Sequence, residues 1–149
     1  MATARNKART RAFQILFEAD HRGVMPKLVL AEWVARAHTR EEGVPQVNEY
    51  TMQLVEGYGR YAARIDDLIS TYAVGWTLDR MPIVDRNVLR LGAYELIWED
   101  SVPDPVVLDE FVEIAKDFST EESPNFVNGL LARLMELKPS LRAREAERD

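Results

Sequence analysis

The chain has 149 residues, 46% apolar and 30% charged, with a net charge of −6 and no cysteine. That length supports a core without a staple, and the missing thiols exclude a disulfide scaffold, a Cys nucleophile, an iron–sulfur site and Cys-based zinc. No apolar run reaches the about 20 residues that span a bilayer, and the basic N-terminus lacks the apolar stretch of a secretory signal, so the expected location is cytoplasmic.

The elements follow in chain order. The spacing predicts a helix over 4–21, where Ala8, Ala12, Ile15, Leu16 and Ala19 form one apolar stripe flanked by Phe13 and Phe17. Gly23 ends it, and Pro26 suits the first turn of a second helix, 26–40, with Leu30, Trp33, Val34 and Ala37 on one face. Gly43 and Pro45 break that pattern. A third run, 46–73, carries Val47, Tyr50, Leu54, Tyr58, Tyr61, Ile65, Leu68 and Tyr72 at steps of three and four. Gly57 and Gly59 weaken it locally and mark a kink or a close approach.

Residues 74–81 read as a connection dividing the chain into two helical bundles of about three helices each. The expected sub-bundles are about 4–73 and 79–137. Asp79 is placed to cap a fourth helix, 82–99, whose apolar positions are Val84, Val88, Leu91, Leu96 and Ile97. Two prolines in 101–105 stop it. A fifth helix, 105–118, shows Val107, Phe111, Ile114, Ala115 and Phe118. Ser123 and Pro124 open a last helix with Phe126, Val127, Leu130, Leu131 and Leu134. Pro139 is expected to end order, leaving 139–149 as a frayed tail. No stretch alternates with period two, so the fold class is all-α.

Charge is unevenly spread along this frame. Arg5, Lys7, Arg9 and Arg11 precede the first acid, Glu18, and all 25 acidic residues come after them. A basic arm on an acidic body fits a polyanion contact; a solvated helix end is the plainer reading.

Catalytic signatures are weak. Asp66-Asp67 is half of a magnesium-pyrophosphate motif, but position 70 is Ser and no second acidic pair faces it; a solvated helix face suits it better. There is no phosphate-binding glycine loop and no nucleophile elbow. His21 and His38 lack a partner at a fixed spacing and read as helix-end residues. No enzyme, metal or cofactor is expected. The tyrosines at helical spacing read as packing before they read as a stacking platform for bases. Asp85-Arg86 reads as a first-turn acid complementing the helix dipole beside an exposed arginine. Asn128-Gly129 sacrifices propensity inside a helix, which a close helix approach at Gly129 explains, or a side chain at Asn128 kept for contact.

Four segments resemble the NusB family of bacterial transcription antitermination factors. Val106-Val107-Leu108-Asp109-Glu110-Phe111-Val112-Glu113-Ile114-Ala115-Lys116 is similar to the family's Val-Ala-Ile-Asn-Glu-Ala-Val-Glu-Leu-Ala-Lys pattern. Ser123 and Phe126-Val127-Asn128-Gly129-Leu130-Leu131 follow at the family's distance. Upstream, 84–96 is similar to its Leu-Arg…Tyr-Glu-Leu helix, and Arg9, Ala12, Phe13, Gln14, Ile15, Leu16 and Phe17 meet its N-terminal pattern. The resemblance covers about 5–137.

It implies two helical bundles packed together. It implies binding of the single-stranded boxA RNA of ribosomal operon leaders through the basic arm. It also implies pairing with NusE, a small-subunit ribosomal protein, to join the antitermination complex on RNA polymerase. An acidic body suits a basic ribosomal partner. By position, Arg5, Lys7, Arg9 and Arg11 are the RNA phosphate contacts. Gln14, Glu122 and Phe126 are base contacts or stacking groups. Phe17, Asp79 and Asp85 form the NusE surface. Asp109 and Phe111 depart from the family pattern, and Asn6 and Thr10 interrupt the arginine cluster. A protein-interaction or homodimer module that binds no RNA is the alternative, with the arm serving an acidic protein surface.

Overall fold

The computed structural model describes residues 3–39, 46–119 and 122–148. Among them are six helices: α1 (Ala4–Arg22), α2 (Pro26–His38), α3 (Glu49–Tyr72), α4 (Ile83–Trp98), α5 (Asp104–Phe118) and α6 (Ser123–Arg148). A 3-10 turn, Leu78–Arg80, precedes α4. No strand occurs among the described residues, so the class is all-α as the periodicity predicts. The break expected at Gly43 and Pro45 lies outside the described residues.

The chain divides into two compact units, Met1–Arg60 and Tyr61–Asp149. The division lies inside α3, where Tyr61 leaves helical geometry at φ −114° and ψ 18°. Gly57 and Gly59 stand just before this kink, at the kind of position where helices bend. It lies upstream of the 74–81 connection.

In the first unit α1 packs on α2. Thr3 caps α1 by accepting from the Asn6 N–H at 3.1 Å. Gly23 ends the helix at φ 70°, a left-handed conformation that glycine adopts without strain. Arg22 in the last turn donates to Glu18 at 2.8 Å and to Glu32 at 2.7 Å, tying α1 to α2. Trp33 Nε1 adds a bond to Glu18 at 3.3 Å. Ala8, Ala12, Phe13, Ile15 and Leu16 of α1, Val29 and Leu30 of α2, and Leu54 and Val55 of α3 are buried. The Thr51 hydroxyl of α3 donates to the Ala8 carbonyl at 2.9 Å.

In the second unit α4, α5 and α6 pack against one another in all three pairings. From Asn87 to Ile97, α4 is buried at every position except Arg90, as a helix inside a bundle must be. Arg90 forks onto Asp66 of α3 at 3.0 and 3.2 Å. Asp66 is therefore half of an ion pair rather than a solvated acid. Among the described residues no group of three or more His, Asp or Glu side chains could hold a metal. Three of the tyrosines serve packing: Tyr50 and Tyr58 are buried, and Tyr61 stacks on Trp98 at 4.8 Å.

Two expectations change here. A Cβ built on Gly129 meets nothing within 4 Å, so no helix approaches closely there; on Gly92 it would lie 2.9 Å from Leu131 Cδ1 and 3.5 Å from Phe111 Cδ2. The close approach belongs to α4, where Gly92 makes room for Leu131 and Phe111. The tail is also not frayed up to Arg148, because α6 continues through Pro139. Leu141 is buried, Arg142 forks onto Asp100, Lys138 donates to Asp104 at 2.7 Å, and Arg64 of α3 meets Glu145 at 2.6 Å. These contacts hold the last turns against the unit.

Candidate nucleic-acid interface

The first turn of α1 contains no acid. The unpaired N–H groups at a helix start carry about half a positive charge, and Arg5 and Lys7 add to it. Both are exposed, and Arg11, one turn beyond Lys7, is half-exposed with Gln14. Lys7, Arg11 and Gln14 share one face at helical spacing. The Arg5 guanidinium lies 4.5 Å from the centre of the Tyr50 ring, a cation–π contact that restrains the start of the arm.

Arg9 is placed differently from the expected surface row. It is 1% exposed, its Nη1 donates to Asn6 Oδ1 at 2.9 Å, and its guanidinium lies 5.8 Å from the Tyr50 ring centre. The cause is phase. Position 9 precedes Ala12 by three and Phe13 by four, so it falls on the buried stripe once Phe13 counts as core. Asn6, which interrupts the run of charges in the sequence, supplies an acceptor for that buried cation.

The second unit holds the other candidates. Trp76, Pro82, Asp85, Glu122, Ser123 and Phe126 line a cleft of about 150 Å³. The Trp76 and Phe126 rings lie 6.4 Å apart, tilted by 55°. Trp76 is 48% exposed and Glu122 is exposed at the start of α6. Aromatic surface beside a carboxylate can stack a nucleobase and accept from its amino group. Trp76 lies in the 74–81 connection, and its signal in the sequence is an aromatic directly after Gly75, itself at φ 82°.

Of the expected partner surface, Phe17 is 36% exposed on α1, packed 6.0 Å from Phe13 and parallel to His21. Asp79 is exposed in the 3-10 turn and does not cap α4, whose N-cap is Pro82. The Thr77 hydroxyl bonded to it holds the Asp79 carboxyl below the usual carboxylate range. Asp85 does not present the exposed carboxylate expected of it: it is 4% exposed and accepts from the Ser119 hydroxyl at 3.0 Å. Arg86 is half-buried and donates to the Leu78 carbonyl at 3.2 Å, not to solvent alone.

The model of the NusB family matches residues 6–136. The transcription antitermination protein NusB of Streptomyces avermitilis is 68% identical over 145 residues, covering 96% of this chain and 99% of that protein. Among solved structures, NusB of T. maritima superposes with a TM-score of 0.77 at 38% identity, covering 91% of this chain and 93% of that one. A crystal structure of antitermination factors NusB and NusE in complex with dsRNA superposes with a TM-score of 0.74 at 32% identity, covering 89% and 96%. A helical protein with a basic helix start and an aromatic cleft is thus matched along nearly its whole length. The chain belongs to the NusB family, a family of transcription antitermination factors and not of enzymes.

Proposed function

We propose that this chain binds boxA-type single-stranded leader RNA of ribosomal RNA operons together with NusE, and so helps RNA polymerase transcribe those operons processively in the cytoplasm. The observation that carries the reading is the acid-free start of α1, where Arg5 and Lys7 are exposed at the positive end of the helix and Arg11, half-exposed, follows one turn beyond Lys7. These three take phosphates. Gln14 beside them, and Glu122 and Phe126 with Trp76 in the second unit, contact bases. Arg9 supports the arm from within. Phe17 and Asp79 are the exposed candidates for the NusE surface. The neighbour solved with NusE and dsRNA supports both classes of partner, and the acidic body suits a basic ribosomal protein.

The test is titration of labelled boxA RNA, a scrambled strand and a duplex, each with and without NusE. Tight binding of the boxA strand, strengthened by NusE, is expected. Equal affinity for boxA and scrambled strands would remove the sequence-specific part. No RNA binding, together with self-association, would favour the homodimer module.

A further inference from the structure

The second unit contains a chain of three polar side chains that joins α4 to the start of α6. Asp85, in the first turn of α4, accepts from Ser119 Oγ at 3.0 Å. Ser119 Oγ lies 2.7 Å from Ser123 Oγ. A hydroxyl has one proton. Since Ser119 gives its proton to the carboxylate, Ser123 donates to Ser119. Asp85 and Ser123 are both buried, where an aligned chain of this kind is stronger than in water.

The geometry of its far end gives the chain a consequence. Ser119 is the C-cap residue of α5 and Ser123 the first residue of α6. Glu122 precedes Ser123, and its carbonyl accepts the Phe126 N–H at 3.3 Å. The two side chains that line the cleft opposite Trp76 are therefore carried on the turn that Ser123 anchors. We propose that Asp85, acting through Ser119 and Ser123, is a positioning residue for RNA: it holds the start of α6 so that Glu122 and Phe126 stand in register with Trp76. This builds on the RNA-binding reading above, and it replaces a direct role for Asp85 at a partner surface. A carboxylate 4% exposed and already bonded to a hydroxyl is poorly available to a partner's cation.

The side chains present define the experiment. Asp85→Asn keeps an acceptor oxygen for Ser119; Asp85→Ala removes it; Ser119→Ala breaks the chain from the other side with the loss of one oxygen. Each is measured for boxA RNA affinity across a salt series, for NusE binding, and for amide hydrogen exchange without RNA at Phe126, Val127 and Asn128, the first amides of α6 with a carbonyl one turn back to bond. Asp85→Ala and Ser119→Ala are expected to speed exchange at those amides and to weaken RNA about five- to tenfold, the worth of one net hydrogen bond. The salt slope should stay unchanged, because no phosphate contact is touched. Asp85→Asn should behave as the wild type in all three.

Unchanged exchange and affinity in Ser119→Ala would overturn the proposal. So would loss of NusE binding in Asp85→Asn, which would mean a direct partner contact, or an altered base preference in Asp85→Asn, which would mean that the carboxylate reads the RNA itself. If the wild type binds no RNA, the RNA-binding reading falls, while the exchange data still decide whether these residues hold the start of α6.

Discussion

The Arg9 guanidinium donates to Asn6 Oδ1 at 2.9 Å, one turn back along the same helix, and so a cation in the middle of the basic arm faces the protein. The arm then offers three phosphate ligands. For a single strand the salt slope is about −0.7 per neutralised phosphate, which gives about −2 for the wild type. Replacing Lys7 and Arg11 with Ala should reduce its magnitude by about 1.4. Arg9→Ala should leave the slope alone and lower the melting temperature, since burial makes its loss a packing and hydrogen-bond defect of about 1–3 kcal/mol. A slope reduced by about 0.7 in Arg9→Ala would place Arg9 on the RNA.

Trp76 and Phe126 are expected to share a base. Trp76→Ala should weaken single-stranded RNA by about 1–3 kcal/mol, the usual worth of one stacked base, and Trp76→Phe should recover most of it. Fluorescence anisotropy with a short labelled strand gives both values. Equal affinity in all three proteins would show that the cleft is not used.

Gly92 and Gly129 should respond oppositely to alanine. At Gly92 the new methyl would lie 2.9 Å from a Leu131 carbon that is fully buried. Overpacking of this kind costs about 2 kcal/mol, offset by about 1 kcal/mol of helix propensity. At Gly129 there is open space, so only the propensity gain of about 1 kcal/mol remains. Urea melts of the two variants should move in opposite directions from the wild type.

The end of α6 should matter for stability. Leu141→Ala is expected to cost about 2–3 kcal/mol, as for other buried leucines, and truncation after Pro139 should cost at least as much. A truncated protein that melts like the full chain would show that the last turns are dispensable.

Acid should release part of this attachment. The Arg142 guanidinium bonded to Asp100 holds its carboxyl below the usual carboxylate range. A carboxyl whose folded value is depressed adds stability above its unfolded value, about 4, and loses it as the pH falls through the folded value. Between pH 5 and pH 3 the wild type should therefore lose melting temperature faster than Asp100→Asn. The pair is exposed, so the difference should be small and should shrink in high salt.

The sequence and the structure agree best where one periodicity decides the outcome. The helices of the described residues stand within a few residues of the runs that Leu, Ile, Val and Ala predict, because a single apolar stripe fixes each of them. Only the end of α6 departs. Charged residues were harder to place. Arg9 and Asp85 read as surface groups by type, yet each is buried beside an acceptor or donor that the fold supplies. Asn6 was visible at i−3, but Ser119 meets Asp85 only after α5 has turned back toward α4. Propensity showed that Gly129 is costly in a helix without saying what stands beside it. Pro139 read as a stop because its local cost is plain, whereas Leu141, Asp100 and Glu145 are tertiary partners. Trp76 gains its role from Phe126, a tertiary neighbour 50 positions along the chain.

The bond from the Thr51 hydroxyl to the Ala8 carbonyl, with Arg5 laid over Tyr50, ties the first helix to residues made much later. The basic segment leaves the ribosome before α3 does, yet its finished geometry waits for the first turn of α3 to emerge. Until then a nascent chain carries the cations on a short, marginal helix. Such a segment attracts polyanions, ribosomal RNA included, through charge alone. Sequence-selective binding is therefore expected to begin at a chain length that exposes Tyr50 and Thr51, and ribosome-bound chains arrested on either side of that length should differ in how they discriminate between RNAs.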